Sequence, residues 1–297
     1  MVIITITQLI VRQVRSFRNL FLKKDSFEVK RRRERVRILK EESVFKKEGA
    51  PLFDTLYHST HPIFETWSPL HFLVLFVIFG AAVVMMRFPR RVRTYEGPIR
   101  SALIAALLLQ QFLLYSWYVF NDAFDVVDAL PLYPCRITMV LTLFLLIRWN
   151  DAVFTFTLYW GLIGAVLALL FPDTNGLGFP NVMFIQFFLG HGALLLGVLF
   201  LAIVHDVRPS TIRLTAALRW TIVYFLAVVS INAWTGGNYA YLRIAPPVPL
   251  LDGAPSFPWN VPITFGVVAF LFWSLTASFT QWTKWVRLYE AKRSNGS

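Results

Sequence analysis

The sequence predicts an all-α fold, a polytopic bundle of about seven transmembrane helices with a cytoplasmic C-terminus. Three observations support this fold class. Hydrophobic residues make up 56% of the 297 residues. They form uninterrupted runs of about 20 residues, the length at which a helix crosses a bilayer. The runs are continuous rather than alternating, which disfavours a β-barrel.

The seven predicted spans follow one another with short links. The positive-inside rule orients them, because Lys and Arg concentrate in cytoplasmic connections. The first, third and fifth links carry arginines, whereas the second and fourth carry none. Odd-numbered links and the C-terminal tail are therefore expected inside, in a multi-pass protein of the cell membrane. In chain order the spans are about 69–87, 99–120, 133–149, 151–171, 181–204, 213–233 and 258–283.

The first 60 residues form a basic segment that does not match this orientation. They contain fourteen Lys and Arg against seven Asp and Glu. Seven spans with a cytoplasmic C-terminus would place this charge outside, so either the start codon is assigned too early or the segment adds a crossing. We divide the chain into a disordered or mis-annotated extension (1–60), a transmembrane domain (61–285) and a basic cytoplasmic tail (286–297). No nucleic-acid partner is expected, because the basic residues do not belong to a folded basic domain.

Three unusual stretches interrupt the apolar runs: LPLYPC (130–135), QFFLGHG (186–192) and TGGNYAYL (235–242). The predicted orientation places all three in the outer half of the membrane. His191, for example, lies about ten residues into its span, or roughly 15 Å along a helix axis. Polar residues of three separate helices thus converge on one side of the membrane, which is not expected of structural polar residues. Whether the three stretches meet in space is the main question about function.

Cys135 and His191 are the candidate catalytic residues of these stretches. A thiol at a helix N-terminus beside Arg136 is favoured as thiolate, although a lone cysteine in a membrane helix is more often a packing residue. His191 is an ionisable side chain within a span, which indicates either a functional group or a hydrogen bond to a neighbouring helix. Polar candidates for substrate binding on the same side are Gln186, Asn232, Asn238, Tyr239, Thr138 and His71.

No metal site and no cofactor are predicted. One cysteine and five scattered histidines do not form the ligand spacing of a structural zinc site. The sequence also lacks a phosphate-binding glycine loop, a G-x-S-x-G motif and an H-E-x-x-H motif.

Several motifs resemble a known family. LPLYPCRITMVL, FPNVMFIQFFLGHGALLLG and the stretch from Asn232 through TGGNYAYL, followed by FPWNVP, resemble the bacterial YwaF-type integral membrane family over about residues 62–285. That family is distantly similar to a eukaryotic multi-pass acyltransferase that edits ether phospholipids. The resemblance implies membrane lipids as partners, with Cys135 as nucleophile and His191 as general base. It also implies that Asn238 or Gln186 could polarise the acyl carbonyl.

Two other functions are compatible with the sequence. A non-catalytic transporter or solute-binding protein would use a midplane cavity lined by Gln110, Gln111, Thr142 and His191, and Cys135 would be dispensable. The chain shows no internal repeat, which counts against the commonest transporter architectures. A structural or partner-binding role is the third alternative.

Overall fold

A computed structural model describes residues 52–58, 63–244 and 255–295, with side chains as far as Gln281. Predictions that concern residues 1–51 lie outside this part of the chain. Within it the protein is helical, with one isolated bridge between Ile63 and Leu177. The helices are α1 (Leu52–Tyr57), α2 (Pro69–Arg87), α3 (Pro89–Thr94), α4 (Glu96–Phe120), α5 (Pro134–Ile147), α6 (Asp151–Leu170), α7 (Val182–Val204), α8 (Thr211–Thr235) and α9 (Asn260–Asn295), with a 3₁₀ turn at Tyr239–Tyr241.

The predicted polytopic helical bundle is confirmed. Six of the described helices are long and apolar enough to cross a membrane, namely α2, α4, α6, α7, α8 and the part of α9 up to Gln281. The third predicted span is shorter than expected. Helix α5 has 14 residues, or about 21 Å at 1.5 Å per residue, against a hydrocarbon layer of about 30 Å. An irregular segment at 121–133 precedes it, and such backbone is tolerated at membrane depth where protein encloses it.

Helix α7 is the centre of the bundle. It is buried along most of its length and packs against α2, α4, α5 and α6. Glycines let these neighbours approach its backbone. A Cβ atom on Gly190 would lie 2.6 Å from Gln110 Cγ on α4, and one on Gly197 would lie 2.8 Å from the Thr142 methyl group on α5. Gly192 likewise lets a side chain of α2 approach the backbone of α7 closely. The glycines around His191 therefore serve close helix packing.

The short helix α1 packs at the C-terminal end of α4. The Tyr57 hydroxyl lies 3.0 Å from Ser116 Oγ, and the Tyr57 ring meets Phe120 edge to face with centroids 5.1 Å apart. Residues 52–58, at the end of the predicted N-terminal extension, are thus joined to the bundle.

Candidate functional site

Cys135 lies in the first turn of α5, directly after Pro134. The preceding residue, Tyr133, makes no side-chain capping bond to the helix. Among the described residues, the backbone N–H groups of Cys135 and Arg136 have no hydrogen-bond partner. Unpaired N–H groups of this kind carry the positive end of the helix dipole. The start of α5 therefore presents a partly exposed thiol beside two unpaired backbone donors.

Hydrogen bonds from Arg136 stabilise the loop before Cys135. Its guanidinium donates to the Asp128 carbonyl oxygen (2.8 Å) and to the Tyr118 hydroxyl (2.8 Å). It also lies 5.7 Å and 5.3 Å from the ring centroids of Tyr118 and Tyr133. The Tyr133 hydroxyl donates to the Asp128 carboxylate (2.9 Å). Arg136, expected from sequence to act on the thiol, thus also holds the irregular segment in place through its planar fork of donors.

His191 is 9% exposed and is oriented by its own helix. Its Nδ1 atom lies 2.8 Å from the Phe187 carbonyl oxygen. Because a carbonyl can only accept, Nδ1 carries the proton and Nε2 carries the lone pair. Nε2 has no hydrogen-bond partner in the described part of the chain. This is the arrangement of a fixed, neutral imidazole whose second nitrogen can accept a proton.

His71 differs from His191 because both of its ring nitrogens are engaged. The Trp67 backbone N–H donates to Nδ1 (3.0 Å), and Nε2 donates to the Leu169 carbonyl oxygen (2.8 Å). The ring is fully buried. His71 therefore joins the start of α2 to the end of α6, and its predicted role in substrate binding would require these bonds to break.

We expect His71→Phe to lower the free energy of unfolding by about 2–4 kcal/mol. The substitution fits the same space but leaves the partly buried Trp67 N–H and the buried Leu169 carbonyl unpaired. An unpaired buried group costs about 1–3 kcal/mol. Equilibrium unfolding in mixed micelles measures the effect. His58→Phe, at an exposed position, is the matched control and should change stability by less than about 0.5 kcal/mol. Equal stability of the two variants would contradict this role of His71.

Gln186 belongs to a chain of side-chain amides between α4 and α7. The Gln111 side chain donates to Gln110 Oε1 (2.9 Å), and the Gln110 side chain donates to Gln186 Oε1 (2.9 Å). Gln186 in turn donates to the Met183 backbone carbonyl (3.2 Å). The chain satisfies polar groups inside the bundle and ties its two long central helices together.

The stretch TGGNYAYL folds back onto the loop before Cys135. Asn232 donates to the Tyr239 carbonyl (3.0 Å) and accepts from the Tyr239 N–H (2.8 Å). The Tyr239 hydroxyl donates to the Val126 carbonyl (2.6 Å) and accepts from the Leu130 N–H (3.2 Å). Burial raises the pKa of Tyr239 to about 12, so it remains a hydroxyl. Among the described residues, Asn238 bonds only backbone atoms of its own loop. The structure thus brings the first and third stretches into contact.

The two threonines of α5 differ in their bonding. The Thr138 hydroxyl donates to the Pro134 carbonyl (2.7 Å), a bond within its own helix. The Thr142 hydroxyl is buried without a hydrogen-bond partner in the described residues. No three His, Cys, Asp or Glu side chains of the same described part lie close enough together to hold a metal ion.

The backbone donors at Cys135 and Arg136 were not identified from the sequence. The signal that could have revealed them is the order Tyr133-Pro134-Cys135. Proline fits the first turn and supplies no N–H, and tyrosine is not among the residues that cap a helix start. Together these two residues leave the next N–H groups unpaired.

Comparison with known proteins identifies the family. The model of the TMEM164 family matches residues 60–277. No curated protein and no solved structure matches the chain. The matched region contains all three stretches and most of the bundle, in agreement with the extent of the resemblance found in the sequence. The YwaF-type assignment and the similarity to an acyltransferase are not tested by this match and stay predictions. The chain belongs to the TMEM164 family of multi-pass membrane proteins.

Proposed function

We propose that the protein transfers acyl groups between membrane lipids, with Cys135 as nucleophile and His191 as general base. The observation that carries the proposal is the bonding of His191. Its Nδ1–H is fixed on the Phe187 carbonyl, while Nε2 is left with its lone pair. A base oriented by a third group is the requirement for activating a thiol. The other predicted polar residues are bonded within the protein, so they are less available for chemistry.

The proposed reaction runs in two steps through a thioester. In the first, the Cys135 thiol gives its proton to His191 Nε2, and Sγ attacks the ester carbonyl of a donor lipid. The C–O bond breaks, and the departing oxygen takes the proton from Nε2. In the second, the hydroxyl of an acceptor lipid gives its proton to Nε2 and attacks the thioester. The C–S bond breaks and Sγ recovers the proton. The proposal requires Sγ and Nε2 within hydrogen-bond reach when lipid is bound.

The unpaired backbone donors at the start of α5 would stabilise the tetrahedral intermediates. The developing oxyanion needs donors that are already oriented, since reorienting them during the reaction costs energy. The N–H groups of Cys135 and Arg136 belong to the nucleophile and its neighbour, so an attacked carbonyl lies next to both. This assignment replaces Asn238 and Gln186 as the preferred donors, because the side-chain amides of both already donate to backbone carbonyls.

An apolar groove between α8 and α9 offers a path for the acyl chain. Its volume is about 440 Å³, and every residue that lines it is apolar. Phe225, one of these residues, packs against Tyr224 with ring centroids 5.9 Å apart. The Tyr224 hydroxyl donates to the Leu132 carbonyl (2.7 Å), three residues before Cys135. One layer of aromatic rings thus separates the groove from the loop that precedes Cys135.

The proposal is tested with the purified full chain in vesicles. The vesicles contain a phospholipid with a deuterated acyl chain and an unlabelled lysophospholipid. We expect the deuterated chain to appear on the acceptor, as measured by mass spectrometry. Vesicles without protein, and vesicles with protein blocked by a thiol-alkylating reagent, serve as controls. Label that stays on the donor lipid in every sample would contradict acyl transfer.

A further inference from the structure

A second cavity lies at the opposite end of the bundle from Cys135. Its volume is about 620 Å³, and it is formed by the first turns of α6 and α8. These turns follow the third and fifth links of the chain, which the distribution of arginine places on the cytoplasmic side. The polar residues in its wall are Asp151, Thr155, Ser210 and Arg213.

Arg213 is held there with one side of its guanidinium unused. Nη1 and Nη2 donate to the two carboxylate oxygens of Asp151 (3.0 and 2.8 Å), and Nη1 donates also to Thr155 Oγ1 (2.7 Å). A guanidinium has five N–H donors, so the edge formed by Nε and the second hydrogen of Nη2 remains. No described residue occupies that edge. Such an edge binds a phosphate or carboxylate through two parallel hydrogen bonds.

Apart from Ala152 of α6, the remaining wall is an apolar stripe on α8. Ile212, Ala216 and Trp220 line the cavity and are spaced four residues apart, so they share one face of the helix. Ile212 is 84% exposed and Trp220 is 50% exposed. In a membrane-spanning helix this face meets lipid, and tryptophan is favoured near the interface. The stripe begins beside Arg213 and extends about 12 Å along the helix, at 1.5 Å per residue.

We propose that this cavity binds a membrane phospholipid. Its phosphate occupies the free edge of Arg213, and an acyl chain lies along the stripe from Ile212 to Trp220. The polar end of the cavity at Arg213 is followed along the helix by the apolar stripe. A phospholipid has the same order, with the phosphate at one end and the acyl chain extending from it. A free anion would use only the arginine and leave the exposed stripe without a role. This site is separate from Cys135 and does not depend on acyl transfer.

Binding is measured on the delipidated full chain in detergent by native mass spectrometry, with phosphatidylglycerol as the probe. Diacylglycerol, which lacks the phosphate, and inorganic phosphate, which lacks the chain, are the comparison ligands. We expect phosphatidylglycerol to bind most tightly. Arg213→Lys should weaken it about tenfold, because lysine keeps the charge but offers no second edge. Arg219→Lys, exposed on the same helix, should leave binding unchanged.

Ala216→Trp provides a second variant that leaves the ion pair intact. The larger side chain fills the cavity along the stripe and should weaken the binding of phosphatidylglycerol by a similar factor. Melting temperatures of all variants establish that they are folded. The proposal is overturned if Arg213→Lys binds phosphatidylglycerol as the unmodified chain does. It is also overturned if diacylglycerol binds equally well, or if inorganic phosphate binds as tightly as the phospholipid.

Discussion

Cys135→Ala is expected to reduce acyl transfer by at least about 1,000-fold, since removing the nucleophile of a covalent mechanism leaves only binding and oxyanion stabilisation. The same variant should lose the thioester, which is detected on the unmodified protein as a deuterated acyl group that hydroxylamine releases. Cys135 has a partly exposed side chain beside Gly164, so shortening it by one atom should not unfold the bundle.

His191→Gln is expected to slow transfer by about 100- to 10,000-fold, the usual contribution of a general base. Glutamine retains a donor for the Phe187 carbonyl but has no basic nitrogen. The thioester should therefore still form, slowly and with a rate that rises towards alkaline pH. His58→Gln, at an exposed position, is the matched control and should transfer at the unmodified rate.

The two variants also separate acyl transfer from the solute-binding alternative. A solute-binding protein would use the buried Thr142 hydroxyl and His191, and Cys135 would be dispensable. If Cys135→Ala transfers acyl groups at the unmodified rate, the thioester mechanism is wrong. If the unmodified protein itself transfers no acyl group, the solute-binding function becomes the better hypothesis.

Gly190→Ala is expected to destabilise the helix bundle by overpacking its centre. The new methyl group would lie 2.6 Å from Gln110 Cγ and 3.1 Å from Met139 Cε, closer than atoms in a packed interior approach. Helix α7 would have to move away from α4 and α5, and overpacking of this kind costs about 1–3 kcal/mol. The shift would also disturb the bond between Gln110 and Gln186 and displace His191, so transfer should fall as well.

Gly80→Ala is the matched control for this prediction. It makes the same change in α2, where a Cβ atom would meet nothing within 4 Å. Alanine favours a helix over glycine by about 1 kcal/mol, so this variant should be as stable as the unmodified protein or more so. Thermal unfolding in detergent measures both. Equal melting temperatures for the two variants would mean that α7 does not need a glycine at position 190.

The sequence predicted the spans well because a span depends on a local property. The free energy of moving a helix into lipid is a sum over consecutive residues. The first and last residues of a long apolar run therefore mark the ends of the membrane-spanning helix. Helix α2 was predicted at 69–87 and is found at Pro69–Arg87, and α7 was predicted at 181–204 and is found at Val182–Val204. The error at α5 came from including Tyr133, Arg148 and Trp149, which flank a helix of only 14 residues.

The bonding of the candidate residues could not be predicted in this way. His71 and His191 are both histidines near apolar runs, yet Leu169, 98 residues further on, engages the second nitrogen of His71. Asn232 and Tyr239 looked like groups that could contact a substrate, but they bond each other across the end of α8.

By itself, the sequence determined that this is a multi-pass helical membrane protein, which residues form its long helices, and where three polar stretches interrupt them. Only the tertiary structure decided which polar atoms of the described residues remain unbonded, among them His191 Nε2, the backbone donors at the start of α5 and one edge of Arg213. The physical reason is that apolar transfer adds up along the chain. A hydrogen bond depends on a partner that folding brings from elsewhere, as with Asp151 and Arg213, 62 residues apart.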